Sequence, residues 1–125
     1  MKNRNISIIV ILLATVILYA GSLGNGFVYD DLDTIVENRM IKSLSNLPHL
    51  LDGSYFRLSA EMSYRPVATL SYFADYHLYG LAPWGFHLTN VLLHALNAVL
   101  LYLFLATLTK GKDDLVPISV SLLFL

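Results

Sequence analysis

Asp30 and Asp31 are adjacent carboxylates, and Asp33 follows two residues on, in the segment Asn25-Gly26-Phe27-Val28-Tyr29-Asp30-Asp31-Leu32-Asp33. A carboxylate in such a place can take the proton of an attacking hydroxyl. A pair of them can also hold a divalent cation, Mg or Mn, against a phosphate, because hard cations take oxygen ligands. The bland alternative is a solvated turn, with Asp33 capping a short helix from Thr34 to Glu37. Position favours chemistry. The pair stands a few residues beyond a long apolar segment, and charge held close to hydrocarbon is costly and usually functional.

Arg65 is the next candidate, in Ser63-Tyr64-Arg65-Pro66. Proline is well tolerated at a first helical position, so Arg65 stands where a helix begins. A helix N-terminus and a guanidinium both favour an anion, and a lipid phosphate is the obvious one. As a plain surface cation Arg65 would instead be mildly disfavoured there by the helix dipole.

His87, Asn90, His94 and Asn97 follow one another at offsets of three, four and three, which places them on one helix face. Polar groups on a membrane helix normally face protein or a wet cavity, and ordinary helix–helix hydrogen bonding would also account for them. The two histidines are two turns apart, roughly 10 Å of rise, too far for a zinc site built on this helix alone. The stripe is expected to pack against the first apolar helix and the acidic loop, with His87 and Asn90 able to reach a substrate.

These residues need elements to position them. Ile6 to Leu23 is apolar apart from Ser7, Thr15, Tyr19 and Ser22, and a span needs ~20 such residues. A cleaved signal peptide is the alternative, but its apolar stretch is ~7–15 residues, shorter than this one. A second span is expected over 86–108 and the start of a third over 116–125. Lys2 and Arg4 precede the first span, and Lys110 and Lys112 follow the second. By the positive-inside bias both flanks are cytoplasmic, so the loop 24–85 is extracytoplasmic. Within that loop Ile41, Leu44, Leu47, Leu50 and Leu51 recur at helical spacing, interrupted or kinked at Pro48. A second helix is expected from Pro66 to a cap at Gly80, with Val67, Leu70, Phe73, Ala74 and Leu78 on its apolar side. Tyr72, Tyr76, Tyr79 and Trp84 are residues of membrane interfaces. The expected fold class is an all-α membrane protein: two complete spans, the start of a third, and short interfacial helices in the first outer loop.

Composition agrees. The 125 residues are 56% hydrophobic with mean hydropathy +0.61, above the ~45–50% of soluble domains. A net charge of −1 offers nothing to nucleic acid. With no cysteine, disulfides and thiolate metal sites are out of reach.

Taken together, Asn25 to Asp31, Glu37-Asn38, Ser63-Tyr64-Arg65-Pro66 and Pro83 to His94 resemble the start of the membrane-and-tetratricopeptide family of O-mannosyltransferases and their bacterial and archaeal relatives, within the multi-spanning GT-C glycosyltransferases. The combined pattern F-x-Y-D-D, S-Y-R-P and F-H-x-x-N-x-x-x-H is specific, and it runs in order through nearly the whole chain. The resemblance implies a polyprenyl-phosphate sugar donor, a protein or glycan acceptor and reaction at the extracytoplasmic face. It implies Asp30 as catalytic base, Asp31 as its assistant or a metal ligand, and Arg65 on the lipid phosphate. It also implies that this is an N-terminal piece of a longer enzyme, inactive in isolation.

Two other readings stand beside the transferase. In one the chain is a non-enzymatic anchor and assembly module for repeat domains, with the acids and the His/Asn stripe only ordering the packing. In the other the stripe lines a transporter pore. Localisation is expected to be multi-pass in a membrane, a prokaryotic plasma membrane ahead of the endoplasmic reticulum.

Overall fold

The computed structural model describes residues 2–59 and 61–125. It is all-helical over these residues: α1 (Lys2–Tyr19), α2 (Tyr55–Ser59), α3 (Pro66–Tyr79), α4 (Pro83–Leu108) and α5 (Leu115–Phe124), with short 3-10 and π-helical turns between α1 and α2. Two compact units form, one from residues 1–23 and 87–125, the other from residues 24–86.

In the helix unit, α1 continues as a 3-10 turn over Ala20–Gly24, so that Arg4–Gly24 and α4 are each long and apolar enough to cross a membrane. These apolar helices cover the stretches expected to span, with α4 starting at Pro83 rather than Phe86. Most of their apolar side chains are left exposed, among them Leu13, Ile17, Leu92 and Phe104. That distribution suits a hydrocarbon solvent, in which only the packed seam need be buried. The seam is Ile11, Ala98 and Tyr102, with Ile8, Val99, Ile118 and Leu122 packed around it. Ala98 is small enough to bring helices close.

Several polar groups in this unit are answered locally or at the helix ends. Thr15 donates to the Ile11 carbonyl at 2.9 Å, and Ser121 to that of Pro117 at 2.8 Å. At one end a single carboxylate joins three helices. Asp114, just before α5, accepts from the hydroxyl of Ser7 on α1 and, at 2.6 Å, from that of Tyr102 on α4. These two bonds, Ser7's first, hold Asp114 below the ordinary aspartate value. Asp113 caps α5 by accepting the Leu115 N–H at 2.8 Å. Arg4, Lys110 and Lys112 line one cleft with these two acids. Both basic flanks therefore share one end of the unit, as a pair of spans with a common cytoplasmic side requires. The side chain of Lys2, the other cation of that flank, lies outside the described residues.

The loop unit has its own core: Ile35, Met40, Ile41, Leu50, Tyr55, Phe73 and Phe86, with Phe27, Leu47, Tyr72 and Tyr76 half-buried against it. The local readings are corrected in three places. The leucine-rich stretch is a 3-10 helix over Leu44–Leu51 that contains Pro48, and Ile41 lies outside it, fully buried in the core. Asp33 caps nothing. The turn is π-helical over Leu32–Val36, and Asp33 sits inside its first turn. In α3 the ends fall where Pro66 and Gly80 put them, Gly80 at φ 63° donating its N–H to the Tyr76 carbonyl at 2.8 Å. Its buried face, however, is Thr69, Phe73 and Asp75, while Val67, Leu70 and Leu78 are exposed. The apolar stripe of α3 thus serves an outer surface, and the core is reached by the face that carries hydrogen-bonding groups. Where α3 turns into α4, Tyr79 and Trp84 pack at 4.8 Å between ring centroids. A Cβ on Gly85 would fall 2.4 Å from the Tyr79 ring, so only glycine fits there.

Candidate functional site

The acidic pair lies in a tight turn that its own backbone closes. The N–H of Asp31 bonds the Val28 carbonyl at 3.0 Å, and the N–H of Leu32 bonds that of Tyr29 at 3.1 Å. Tyr29 takes φ 47° to allow this, a left-handed conformation that costs free energy in a non-glycine residue and clusters at functional sites. The two acids then divide. Asp31 turns back, and its Oδ2 accepts the Val28 N–H at 3.1 Å. The carboxylate of Asp30 is exposed and has no hydrogen-bond partner among the described residues; only its backbone carbonyl is bound, by the Thr34 hydroxyl at 2.8 Å. Asn38, fully buried, anchors the far side of the turn. It donates to the Thr34 carbonyl and accepts the Met40 N–H, each at 2.9 Å. Asp31 is therefore engaged within the turn, and the Asp30 carboxylate is left open.

Arg65 stands at the N-terminus of α3, as its place before Pro66 predicts, but it is not a free cation. Its Nε lies 3.3 Å from Oε2 of Glu61, whose side chain is fully buried while that of Arg65 is 42% exposed. Glu61 also accepts from Tyr55 at 3.0 Å and from Thr69 at 3.0 Å. The Tyr55 hydroxyl in turn accepts the Arg65 N–H at 3.1 Å and lies 2.7 Å from the Thr69 hydroxyl. A buried carboxylate is tolerated when its oxygens are bonded in this way. Burial, with Glu61 adding to it, pushes the Tyr55 phenol above its ordinary value, although the bonds from Thr69 and Arg65 pull the other way; it remains a neutral donor. The two terminal nitrogens of Arg65 have no partner among the described residues, so the guanidinium is aimed by one edge and open at the other.

Glu61 was not singled out from the sequence, although its i, i+4 spacing to Arg65 is a usable signal. Tyr72 was read only as an interfacial residue. In the structure it is half-buried against Phe86, and the charges of Arg65, Glu61 and Asp31 all reach its hydroxyl. Burial is the main influence and pushes this phenol up; Arg65 lowers it, while Glu61 and Asp31 raise it. Tyr72 thus sits within the electrostatic range of both the acidic turn and the Arg65 network.

The other two candidates belong to the helix unit. His87 and Asn90 line a cavity of about 270 Å³ with Tyr19, Ser22, Val91 and His94. Nε2 of His87 is buried there without a hydrogen-bond partner. His94 packs edge-on to Tyr19, with centroids 5.2 Å apart, and its Nε2 is 3.4 Å from the Tyr19 hydroxyl. The stripe therefore does pack against α1, through His94, while Asn97 is exposed. A buried polar atom with no partner is uncommon and costly.

Among the described residues no three His, Asp or Glu side chains converge, and one oxygen of Asp31 is already taken by Val28. A cation held by Asp31 would need further oxygen ligands beyond these residues.

The fold and sites described define an all-helical chain of membrane type, with two candidate spans and a folded loop unit that carries an acidic turn. Comparison with known proteins then places it. The chain is 34% identical over 101 residues to the Protein O-mannosyl-transferase Tmtc1 of Drosophila melanogaster, covering 77% of this chain and 12% of that protein. It is 32% identical over 130 residues to the Protein O-mannosyl-transferase TMTC3 of Homo sapiens, covering 99% of this chain and 14% of that protein. With the Protein O-mannosyl-transferase F38B6.6 of Caenorhabditis elegans identity is 29% over 104 residues, covering 79% of this chain and 15% of that protein. The chain is a homologue of the TMTC protein O-mannosyl-transferases over most of its length, and it spans only 10–15% of theirs. No protein-family model matches it, and no solved structure does.

Proposed function

We propose that this chain carries the catalytic acid of a membrane O-glycosyltransferase that moves a sugar, mannose by the names of its relatives, from a polyprenyl-phosphate donor to an acceptor hydroxyl on the extracytoplasmic face. The observation that carries the reading is the division of labour in the acidic turn: Asp31 is spent on the Val28 N–H, and Asp30 is exposed and unpartnered.

In this mechanism the acceptor oxygen attacks the anomeric carbon. Its proton passes to the Asp30 carboxylate, a general base within hydrogen-bond reach. The bond from the anomeric carbon to the phosphate oxygen breaks, and that oxygen keeps the electron pair. The departing polyprenyl phosphate meets the open edge of Arg65, where a guanidinium bonds phosphate through paired N–H groups. A single displacement of this kind inverts the anomeric centre. His87 and Asn90, which line a cavity of their own, contact a substrate group there.

Support comes from three directions: the relatives' names, the shared basic end of the two spans, and the exposed apolar face of α3, which suits a bilayer surface. The test is sugar transfer by the intact transferase with Asp30→Asn and, separately, Asp31→Asn. General-base catalysis contributes about 10²–10⁴-fold, and Asp30→Asn is expected to lose at least the lower figure in kcat at undiminished protein level. Asp31→Asn, which keeps an acceptor oxygen for Val28, is expected to lose less. Undiminished transfer by Asp30→Asn would remove the catalytic claim.

A further inference from the structure

Residues 24–86 contain four Lys or Arg side chains, and three of them, Arg39, Lys42 and Arg57, line a single surface cavity of about 470 Å³ with Val36, Glu37 and Leu58. The backbone brings them there. The N–H groups of Arg39 and Met40 both bond the Leu58 carbonyl at 3.1 Å, which fastens the segment after the acidic turn to α2 and sets Arg39 beside Arg57. Lys42 is drawn in by its Nζ, which donates to the Val36 carbonyl at 2.7 Å. Arg57 is steadied by the Ser54 hydroxyl at 3.2 Å.

Three cations in one cavity repel one another unless anions answer them. Among the described residues the ion pairs are His49–Asp52 and Arg65–Glu61, and neither involves this cavity. Glu37 lines the wall and makes no ion pair within 4.0 Å. The local charge of the cavity is thus positive, in a unit whose acids otherwise outnumber its bases. Two guanidiniums and an ammonium are the usual set for a phosphate, which guanidiniums grip in pairs and an ammonium meets as a point charge.

From this arrangement we propose that Arg39, Lys42 and Arg57 form a phosphate-binding pocket, separate from Arg65, whose ligand is a phosphate group of a lipid headgroup or a free phosphate. The lipid source has a second argument. Phe56, next to Arg57, is exposed and packs on Tyr64 at 6.3 Å between centroids; Leu51 is 82% exposed, and the Tyr64 hydroxyl bonds the carbonyl of the neighbouring Leu50. An apolar and aromatic patch with cations beside it is what a membrane surface with anionic headgroups selects. The pocket does not depend on the catalytic role given to Asp30.

The test is a titration of the full chain in neutral detergent, followed by NMR of the arginine Nε–H groups. Three probes are used: a short-chain phosphatidylglycerol, the matching phosphatidylcholine, and inorganic phosphate. Saturable shifts at Arg39 and Arg57 are expected. The double variant Arg39→Gln/Arg57→Gln should weaken binding at least tenfold, whereas Lys112→Gln, an exposed cation of the helix unit, should leave it within twofold. Tighter binding of phosphatidylglycerol than of inorganic phosphate identifies a headgroup site, and equal binding identifies a site for free phosphate. Both substituted side chains are exposed, and an unchanged amide spectrum in the double variant shows that the fold survives; a variant that loses the fold is replaced by Arg57→Gln alone, read against the same tenfold criterion. The proposal is overturned by the lack of any saturable shift, by undiminished affinity in the substituted protein, or by an acidic peptide that binds the pocket more tightly than either phosphate probe.

Discussion

The Nε of Arg65 lies 3.3 Å from Oε2 of Glu61, and that one contact sets the direction of an exposed guanidinium at the start of α3. Glu61 in turn is held by Tyr55 and Thr69, so the aim of a surface cation is decided by a buried carboxylate and two hydroxyls. Tyr55→Phe deletes a bond to the carboxylate and the acceptor of the Arg65 N–H at once. Leaving such groups buried and unmet costs about 1–3 kcal/mol. A lowered thermal midpoint is expected, with a matching fall in transfer as Arg65 loses its support. An unshifted midpoint in Tyr55→Phe would show that the network is not what orders Arg65.

Asn38 has a comparable position behind the acidic turn. Its side chain bridges the Thr34 carbonyl and the Met40 N–H from full burial. Asn38→Ala should cost about 1–3 kcal/mol by the same reasoning. It should also raise the hydrogen-exchange rate of the amides of Thr34 to Met40. Asn38→Asp retains an acceptor for Met40 and loses the donor for Thr34, so only part of the protection should be lost. Equal exchange in wild type and Asn38→Ala would contradict the anchoring role.

Much of this was legible in the chain. Two spans, the ends of α3 at Pro66 and Gly80, and the acidic and Arg65 motifs follow from apolar length, proline and glycine chemistry, and residue type. The face of α3 was not. Its apolar residues Val67, Leu70 and Leu78 look like a core stripe, yet they are exposed, while Thr69 and Asp75 are buried. A periodicity argument assumes that the apolar side faces the core, and on α3 that assumption fails. The partner of Arg65 was hidden for a different reason. Glu61 is an ordinary surface residue by type, and only tertiary packing of Tyr55 and Thr69 over it makes it a buried acid. By type and position Asp113 and Asp114 look like ordinary charges beside a positive flank. The structure makes one a helix cap and the other the joint of three helices.

That joint has a pH signature. The folded-state pKa of Asp114 lies below the ordinary aspartate value of 3.8, first through Ser7 and then through Tyr102. A depressed carboxylate contributes stability that is fully present above its unfolded value and lost as pH falls through the folded one. The helix unit is therefore expected to hold its stability at neutral pH and to lose this contribution on acidification below about pH 4. Asp114→Asn should flatten the acid limb of a thermal-midpoint profile. An acid limb identical in wild type and Asp114→Asn would rule out Asp114 as its source.

The central claim is geometric: Asp30 stands on the extracytoplasmic side of the bilayer, where a hydroxyl acceptor and a lipid-linked sugar can meet. Because the chain contains no cysteine, Asp30→Cys introduces a single thiol that can be labelled without background. In sealed, right-side-out vesicles, a membrane-impermeant thiol reagent added outside is predicted to modify position 30 without permeabilisation, while a cysteine at Lys112 stays unmodified until detergent is added. Labelling of position 30 only after the membrane is opened would place the acid in the cytosol and contradict the account.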